Sequence, residues 1–575
     1  MLPKVLKEHT LEYPDLNLVP APPLTAPLRA SKWLLCGFVL CTFGFVLGIL
    51  LTVAPLVRMP DRVVHLQSAL GSLLAESGSW LPKNFGLAND PVNALASTAC
   101  VEFFLLLGFV MLCYGCAAWL VTRQTPVHHH SMLRCLIWLG ALLAGGIYVF
   151  TPSMLSHDIL VYVGYGRVLA IYHANPYFIP IAAFPHDPFT KVNFWAKIVS
   201  IYGPIWIAVC GIFGQFISPT LTSYTRAFRL FALTIHLLNP WLVRCTLQQM
   251  GRTPRTVTLG MLLYVWNPLM LLESSLGGHN DILMISFVLL GVLLMVQAEQ
   301  RGQLLNARGY LPPVIALTLA VLVKFTALPI LAACLLFLTC KILRPTSNSA
   351  RTFQQIILRW QPVLFFLCQS CSALFLLILL SYGPFWFGHT FAAILVGFKQ
   401  APSALYAENS FMHSAIVWLH EKPATTFPWT LLTYRPFWDV LTYLGPALGL
   451  LLGAYKLWLT PTIRNCVLVA LIALIPVLLT TPWFFSWYVT WIWALAVISL
   501  PARQSRWQSA LLAFTLTFSF TALFTYLFTN NYQPFHSWAY LVSAITTIPP
   551  TCAFLLTLIL WQSAHNCKRG GIKPC

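Results

Sequence analysis

The chain has 575 residues, of which 58% are hydrophobic and only 9% charged. A soluble domain carries about 25% charged residues, so with several apolar runs of about 20 residues this reads as a polytopic membrane protein and not a soluble fold. The formal net charge of +19 does not point to nucleic acid, because the Lys and Arg lie between apolar runs, where a membrane protein keeps its cytoplasmic charge.

In chain order, residues 1–31 read as a cytoplasmic arm with Lys4, Lys7 and several prolines. The first apolar run, 32–57, is long enough to span and lacks a small-residue cleavage site, so it is expected to be retained. Residues 58–96 carry Arg58, Asp61, Arg62, Trp80 and Lys83 and leave room for an interfacial helix. Runs follow at 97–122 and 132–151. The link between them holds Arg123 and three consecutive histidines, 128–130, which read as a solvated loop and not a metal site. The 16 Cys lie mostly inside apolar runs, where Cys behaves as a small hydrophobe; the Cys113–Cys116 pair falls inside one such run.

Two proline-bounded pieces come next, FPHDPF at 184–189 and YGPIW at 202–206, the second leading into a short apolar run ending near 218. If that run dips into the outer leaflet without spanning, Arg244, Arg252, Arg255, Arg301, Arg308, Lys341, Arg344, Arg351, Arg359, Lys456, Arg464, Arg503, Arg506, Lys568 and Arg569 all fall on the cytoplasmic side. The remaining spans are then 226–246, 256–275, 281–298, 311–324, 326–343, 361–382, 438–458, 464–481, 484–500, 507–528 and 538–562. The expected fold class is all-α, a polytopic protein of about fourteen transmembrane helices, with interfacial or re-entrant helices in the first large outer loop. Four parts are expected: the arm (1–31), an N-terminal transmembrane pair with its loop (32–129), a catalytic membrane module (130–345), and a C-terminal membrane module (346–575) with an outer loop at 383–437. Both termini face the cytoplasm in this reading. The outer face receives 152–225, 276–280, 383–437 and TNNYQPFH near 529–536. Motif-like residues concentrate there, which places the chemistry on that face.

Asp158 opens the polar stretch after the third run, with Arg167 nine residues on. A carboxylate at the mouth of a membrane helix is costly to desolvate unless it has a partner, water or a role; it reads either as the centre of an active site or as a helix N-cap or solvated loop carboxylate. WNPLMLLESSLGGHNDILM (266–284) clusters Asn267, Glu273, Gly277, Gly278, His279, Asn280 and Asp281. A helix turn with Asn280 or Asp281 as cap explains the glycines and one polar residue, but not why Glu273, His279 and Asp281 gather at one boundary. Lys324 stands alone amid apolar residues; at the outer tip of a hairpin of short helices it would either snorkel to the interface or bind an anion such as phosphate. TTPWFFSWYVTWIW (480–493) crowds Trp483, Trp487, Tyr488, Trp491 and Trp493, as an aromatic belt would, with some rings left to line a groove. The loop at 383–437 offers Lys399, Tyr406, Glu408, Asn409, His413 and Arg435 for binding. No nucleophile elbow, Walker loop, Rossmann turn or zinc-like spacing occurs.

In order along the chain, Ser156, Asp158, Tyr162, Gly166 and Arg167 followed by Asn175-Pro176-Tyr177 resemble the S-x-D-x-x-x-Y-x-x-x-G-R…N-P-Y segment of bacterial membrane mannosyltransferases. These belong to the GT-C superfamily and use polyprenyl-phosphate-mannose. Tyr202-Gly203-Pro204 with Trp206 is similar to their Y-G-P-l-W, and Asn267-Pro268 with Gly278-His279-Asn280-Asp281 and Met284 to their N-P-l…G-H-N-D-x-x-M. Lys324 sits where such proteins have a Lys before a short helix hairpin. Pro482-Trp483 with Tyr488 resembles a late P-W-Y motif, interrupted here by Phe484 and Phe485. The resemblance covers about residues 130–500 and is nearest the actinobacterial α-1,6-mannosyltransferases of lipoglycan assembly.

The resemblance implies a cell-envelope glycosyltransferase in the plasma membrane, a hexosyltransferase of GT-C type with its active site on the extracytoplasmic face. Its partners are a polyprenyl-phosphate sugar donor, a glycan or glycolipid acceptor and membrane lipid. Asp158 would be the catalytic base. Arg167, Lys324 and His279 would hold the donor phosphate. Asp281, Asn280, Tyr162, Asn175, Tyr177, Tyr202, Trp483 and Tyr488 would serve the donor or acceptor sugar. Transfer by single displacement inverts the anomeric carbon. No cofactor is implied with certainty, and a divalent metal ion stays open because members of the superfamily differ on it. Two competing classes are a transporter or flippase of a lipid-linked sugar, which would show repeat symmetry and midplane polar groups, and a polymer ligase using a lipid-pyrophosphate sugar, which would want more outer-loop Arg.

Overall fold

The computed structural model describes residues 28–59, 81, 91–123, 129–344, 353–390, 392–393, 399, 401–421, 429–500, 505–529 and 535–569. The expected arm at 1–31 lies almost wholly outside the described residues, as do most of the interfacial helix expected within 58–96, parts of the 383–437 loop, most of TNNYQPFH, and Arg351 and Arg503. Among the described residues the chain is helical throughout, and one isolated bridge joins Glu408 to Trp483.

Eleven helices are long and apolar enough to cross a membrane, or up to twelve if the pair Pro254–Val265 and Pro268–Ser275, bent by 49°, counts as one span. Each of the fourteen expected runs has a helical counterpart, but two are short: Ala307–Val323 and Ser486–Ile498. At 1.5 Å per residue the longer of these reaches only about 25 Å, less than the roughly 30 Å of a hydrocarbon core. Both are bounded by breaks in the helical backbone, at Lys324 and at Thr481–Phe485. The apolar runs of the sequence thus all reappear as helices, and the eleven or more long ones fit the expected polytopic all-α fold. The 13-residue helix Pro204–Phe216 is also too short to cross, as the dipping reading required. The Pro254–Ser275 bend falls at Asn267-Pro268, where Asn267 accepts from the backbone N–H of Leu269 and Met270 and caps the second piece.

Leu28–Arg58 packs along Pro91–Thr122, and an ion pair joins Arg58 to the buried Glu102. His129–Val149 lies against the first of these and against Leu221–Gln249 and Pro254–Val265. Large rings fill the centre, Trp206, Trp266 and Trp493 among them. Asp281–Gln300 packs on Ala307–Val323, and Ile463–Thr480 on Arg435–Leu459.

Two close approaches set the site. The Asp158–Ala170 helix crosses Pro204–Phe216 so tightly that a Cβ on Gly166 would stand 2.2 Å from the Cys210 carbonyl oxygen, and one on Gly214 would stand 2.5 Å from that of Gly166. Small residues at such crossings let backbones meet. A Cβ on Gly203 would lie 1.9 Å from the Leu322 carbonyl oxygen, and Gly203 N–H donates to Val323 O at 3.1 Å. The segment that leads into Pro204–Phe216 is thereby stitched to the turn that carries Lys324. Gly166→Ala should destabilise the fold by roughly 1–3 kcal/mol through overpacking, lowering the unfolding temperature of the detergent-solubilised chain. Gly146→Ala, which meets nothing within 4 Å, should leave it unchanged.

Candidate active site

Asp158 is the first residue of its helix, and His157 occupies the capping position without a side-chain cap bond. Asp158 is not the cap. Its Oδ2 accepts from the hydroxyls of Tyr162 at 3.3 Å and Tyr202 at 3.4 Å and lies 3.4 Å from His279 Nδ1. The side chain keeps 20% of its surface exposed. Tyr162 sits one turn on, and Tyr202 enters from the start of Pro204–Phe216, with the two rings 5.4 Å apart.

His279 stands between two carboxylates. Its Nε2 is 3.2 Å from Glu273 Oε2, on the side away from Asp158. Neither ring nitrogen is aligned for a hydrogen bond, so these contacts act through charge. The helix Pro268–Ser275 ends at Gly277 and Gly278, the second with φ +62°, a conformation glycine adopts freely. A Cβ on Gly277 would come within 2.5 Å of the His279 ring, so both glycines are needed for the ring to fold back over Glu273. Glu273 is fully buried and accepts from Ser486 Oγ at 2.6 Å and from Tyr526 OH at 3.0 Å. The His279 ring stacks on Trp487, 4.1 Å between centres. Burial alone would drive His279 neutral, but Asp158 and Glu273 outweigh it and push its pKa up to about 9. Burial would raise the Asp158 carboxyl, yet His279 and the more distant Lys324 charge hold it below its ordinary value.

Asp281 begins the next helix. Its Oδ1 accepts from Lys324 Nζ at 2.8 Å and Trp491 Nε1 at 2.5 Å. Lys324 also lies over the Tyr488 and Trp491 rings, 5.0 and 5.3 Å from their centres. It occupies the extended break between Ala307–Val323 and the turn into Leu328–Leu343, the hairpin tip expected from sequence. Neither Asn280 nor Asp281 makes a side-chain cap bond. Both amide atoms of Asn280, and Asp281 Oδ2, are buried with no hydrogen-bond partner in the protein. Buried polar atoms are nearly always satisfied, so these three atoms have hydrogen-bonding capacity that the protein itself does not use. Among the described residues no three His, Cys, Asp or Glu side chains group so as to hold a metal ion.

The structure thus brings Asp158, Tyr162, Tyr202, His279, Asn280, Asp281, Lys324 and Tyr488 together. It does not bring Arg167 there. Arg167 Nε donates to Asp187 Oδ2 at 2.7 Å and Nη1 to Tyr224 OH at 3.4 Å, over the Phe189 ring. Asn175 and Tyr177 shape the loop: Asn175 Oδ1 accepts from Tyr177 N–H, and Tyr177 OH donates to Tyr202 O at 2.8 Å, supporting the backbone of a residue that touches Asp158. Trp483 lies further out, among Trp195 and Phe485.

Sequence reading passed over Arg229. It is fully buried inside Leu221–Gln249 and donates to Leu276 O at 2.8 Å, Thr151 O at 2.5 Å and Ser153 O at 2.6 Å. Those carbonyls end the two segments that lead to His279 and Asp158. Helix C-termini carry unsatisfied carbonyls and partial negative charge, and one guanidinium serves both. The available signal is an Arg in the first third of a helix that is otherwise largely apolar, close behind Arg226. Arg229→Leu should cost about 3 kcal/mol or more and lower activity together with unfolding temperature.

Residues 63–340 match the family model described as alpha-(1->6)-mannopyranosyltransferase, N-terminal domain. Two curated relatives are both described as alpha-(1->6)-mannopyranosyltransferase A. The one from Mycobacterium tuberculosis is 27% identical over 192 residues, covering 33% of this chain and 33% of the relative. The one from Corynebacterium glutamicum is 23% identical over 150 residues, covering 26% of this chain and 30% of the relative. The chain therefore spans about a third of the length of these relatives. The matched range contains Asp158, Glu273, His279, Asp281 and Lys324.

Proposed function

Through residues 63–340 the chain belongs to the alpha-(1->6)-mannopyranosyltransferase family, and on that premise we propose that it moves mannose from a polyprenyl-phosphate-linked donor to a glycan or glycolipid acceptor at the non-cytoplasmic face of the membrane. The observation that carries this reading is two charge pairs at helix ends, Asp158–His279 and Asp281–Lys324, with Lys324 close enough to act electrostatically on Asp158. The positions of Lys and Arg between the spans support cytoplasmic termini and an extracytoplasmic site. A transporter of the same lipid would be expected to keep its polar groups along helix middles near the bilayer centre.

In this mechanism the acceptor hydroxyl oxygen attacks the anomeric carbon while the bond from that carbon to the phosphate oxygen breaks. The hydroxyl proton goes to Asp158 Oδ2, and the electron pair of the broken bond leaves on the phosphate. Tyr162, Tyr202 and the His279 cation keep Asp158 ionised and aimed. Lys324 neutralises the charge growing on the phosphate, and the Asn280 amide and Asp281 Oδ2 hold sugar hydroxyls. One displacement inverts the anomeric centre, so a β-linked donor gives an α-linked product. Arg167 is turned to Asp187 and Tyr224 and does not join the Asp158 cluster, whereas Lys324 acts electrostatically on Asp158, so the phosphate role falls to Lys324.

The test is transfer of mannose by the purified chain from polyprenyl-phosphate-mannose to a mannoside. Absence of transfer from any lipid-phosphate sugar would overturn the proposal. Lys324→Gln should remove about 1.5–3 kcal/mol of charged hydrogen bonding, raising the donor KM and lowering kcat, while the acceptor KM stays within about twofold.

A further inference from the structure

A line of ring contacts runs outward from the Asp158 cluster. His279 stacks on Trp487, Trp487 on Phe485 at 4.4 Å, Phe485 meets Trp483 at 5.2 Å, Trp483 meets Trp195 at 6.0 Å, and Trp195 meets Tyr406 at 6.3 Å. Exposure increases along it: Trp487 is buried, Trp483 and Trp195 are half-buried, and Tyr406 is 54% exposed. The rings come from four distant segments. Glu408 fixes two of those segments together, donating its backbone N–H to Pro482 O at 2.9 Å and accepting from Phe484 N–H at 3.0 Å, on either side of Trp483. The next residue, Asn409, holds φ +49°, a conformation that costs energy for a non-glycine residue and tends to persist at binding sites. The Glu408 carboxyl faces His413 Nδ1 at 3.8 Å and is partly exposed.

We propose that Trp483, Trp195, Tyr406 and Glu408 form a track for the acceptor glycan, holding hexose units that precede the one attacked at Asp158. The proposal rests on the mannosyltransferase reading. A hexose offers a C–H face to an aromatic ring and hydroxyls to a carboxyl group, and the track supplies both chemistries side by side. A prenyl chain has no hydroxyls, and a carboxyl group along its path would be desolvated without return. Rings of an interfacial belt anchor singly to headgroups, whereas these touch one another and end on the site histidine. Burial pushes the Glu408 carboxyl up to about 7, so near neutral pH it can donate as well as accept toward sugar hydroxyls.

The experiment uses the full chain with mannoside acceptors of one, two and four sugars. The wild type should gain kcat/KM with acceptor length. W195A and Y406A should lose that gain, with the acceptor KM for the four-sugar substrate rising about tenfold. The single-sugar kcat/KM and the donor KM should stay within about twofold. Glu408→Gln, which keeps hydrogen bonding, should lose less than Glu408→Ala. Equal losses on short and long acceptors, no loss, or a rise in donor KM (the rings then serving the lipid chain) would each overturn the track. If the wild type transfers no sugar to any mannoside, the functional reading fails, and the track is tested by tryptophan-fluorescence titration with mannotetraose. Saturable binding weakened about tenfold in Y406A supports it, and no saturable binding overturns it.

Discussion

Asp158→Asn is expected to lower kcat by about 10²–10⁴-fold while leaving the donor KM within about twofold. The substitution keeps the shape of the side chain and an oxygen for the Tyr162 and Tyr202 hydroxyls, which donate to Asp158 Oδ2. It removes the ability to take a proton. It also removes one of the two charges beside His279, so some loss of unfolding temperature is expected. The kinetic and thermal effects separate cleanly, because a structural loss lowers the amount of active enzyme without changing the rate of each folded molecule. Single-turnover rates normalised to folded protein therefore read the chemistry alone. An Asp158→Asn chain that turned over at the wild-type rate would remove Asp158 from the base role and leave the Tyr162–Tyr202 pair with no charged residue to aim.

The all-α membrane fold was legible in the apolar runs, and some of the residues that the structure brings together stood out beside them. Asp158, His279, Asp281 and Lys324 were readable because each is a charged or titratable group where an apolar run stops, and such groups seldom sit there without a partner. The expected hairpin tip at Lys324 holds for the same reason. What could not be read was pairing across the chain. Arg167 was assigned to phosphate, but in the structure Asp187 takes it, a pairing between a helix and the FPHDPF loop that follows no period. Glu273 was noticed, but its partners Ser486 and Tyr526 lie more than 200 residues away. Arg229 shows the limit most plainly: a cation inside an apolar run signals a role, but only tertiary packing tells that backbone carbonyls, not a ligand, receive it. What run length alone does not give is where a backbone break shortens a helix, as at Lys324.

The Glu273–His279–Asp158 line makes the pH profile diagnostic. The groups facing His279 are Asp158 and Glu273 directly, with Lys324 acting on Asp158 and the hydroxyls of Tyr162, Tyr202 and Tyr526 donating to the two carboxylates. Because the folded His279 pKa of about 9 exceeds its ordinary 6.5, its ion pairs contribute fully to stability below about 6.5 and are lost as pH climbs through about 9. Activity that depends on the His279 cation should fall on the same alkaline limb. Glu273→Gln removes one of the two charges that raise His279, so the limb should move down by about one unit or more, measured as kcat/KM against pH. His279→Gln should act on the other side. It leaves Asp158 with burial and without its nearest cation, raising that carboxyl, so the acid limb should move upward. Glu273 does not reach the reacting atoms in this geometry; it acts by positioning and charging His279. A merely structural Glu273 would lower the unfolding temperature of Glu273→Gln and leave the alkaline limb in place. A displaced limb at unchanged acceptor KM would instead show that the buried carboxylate controls the proton inventory of the base.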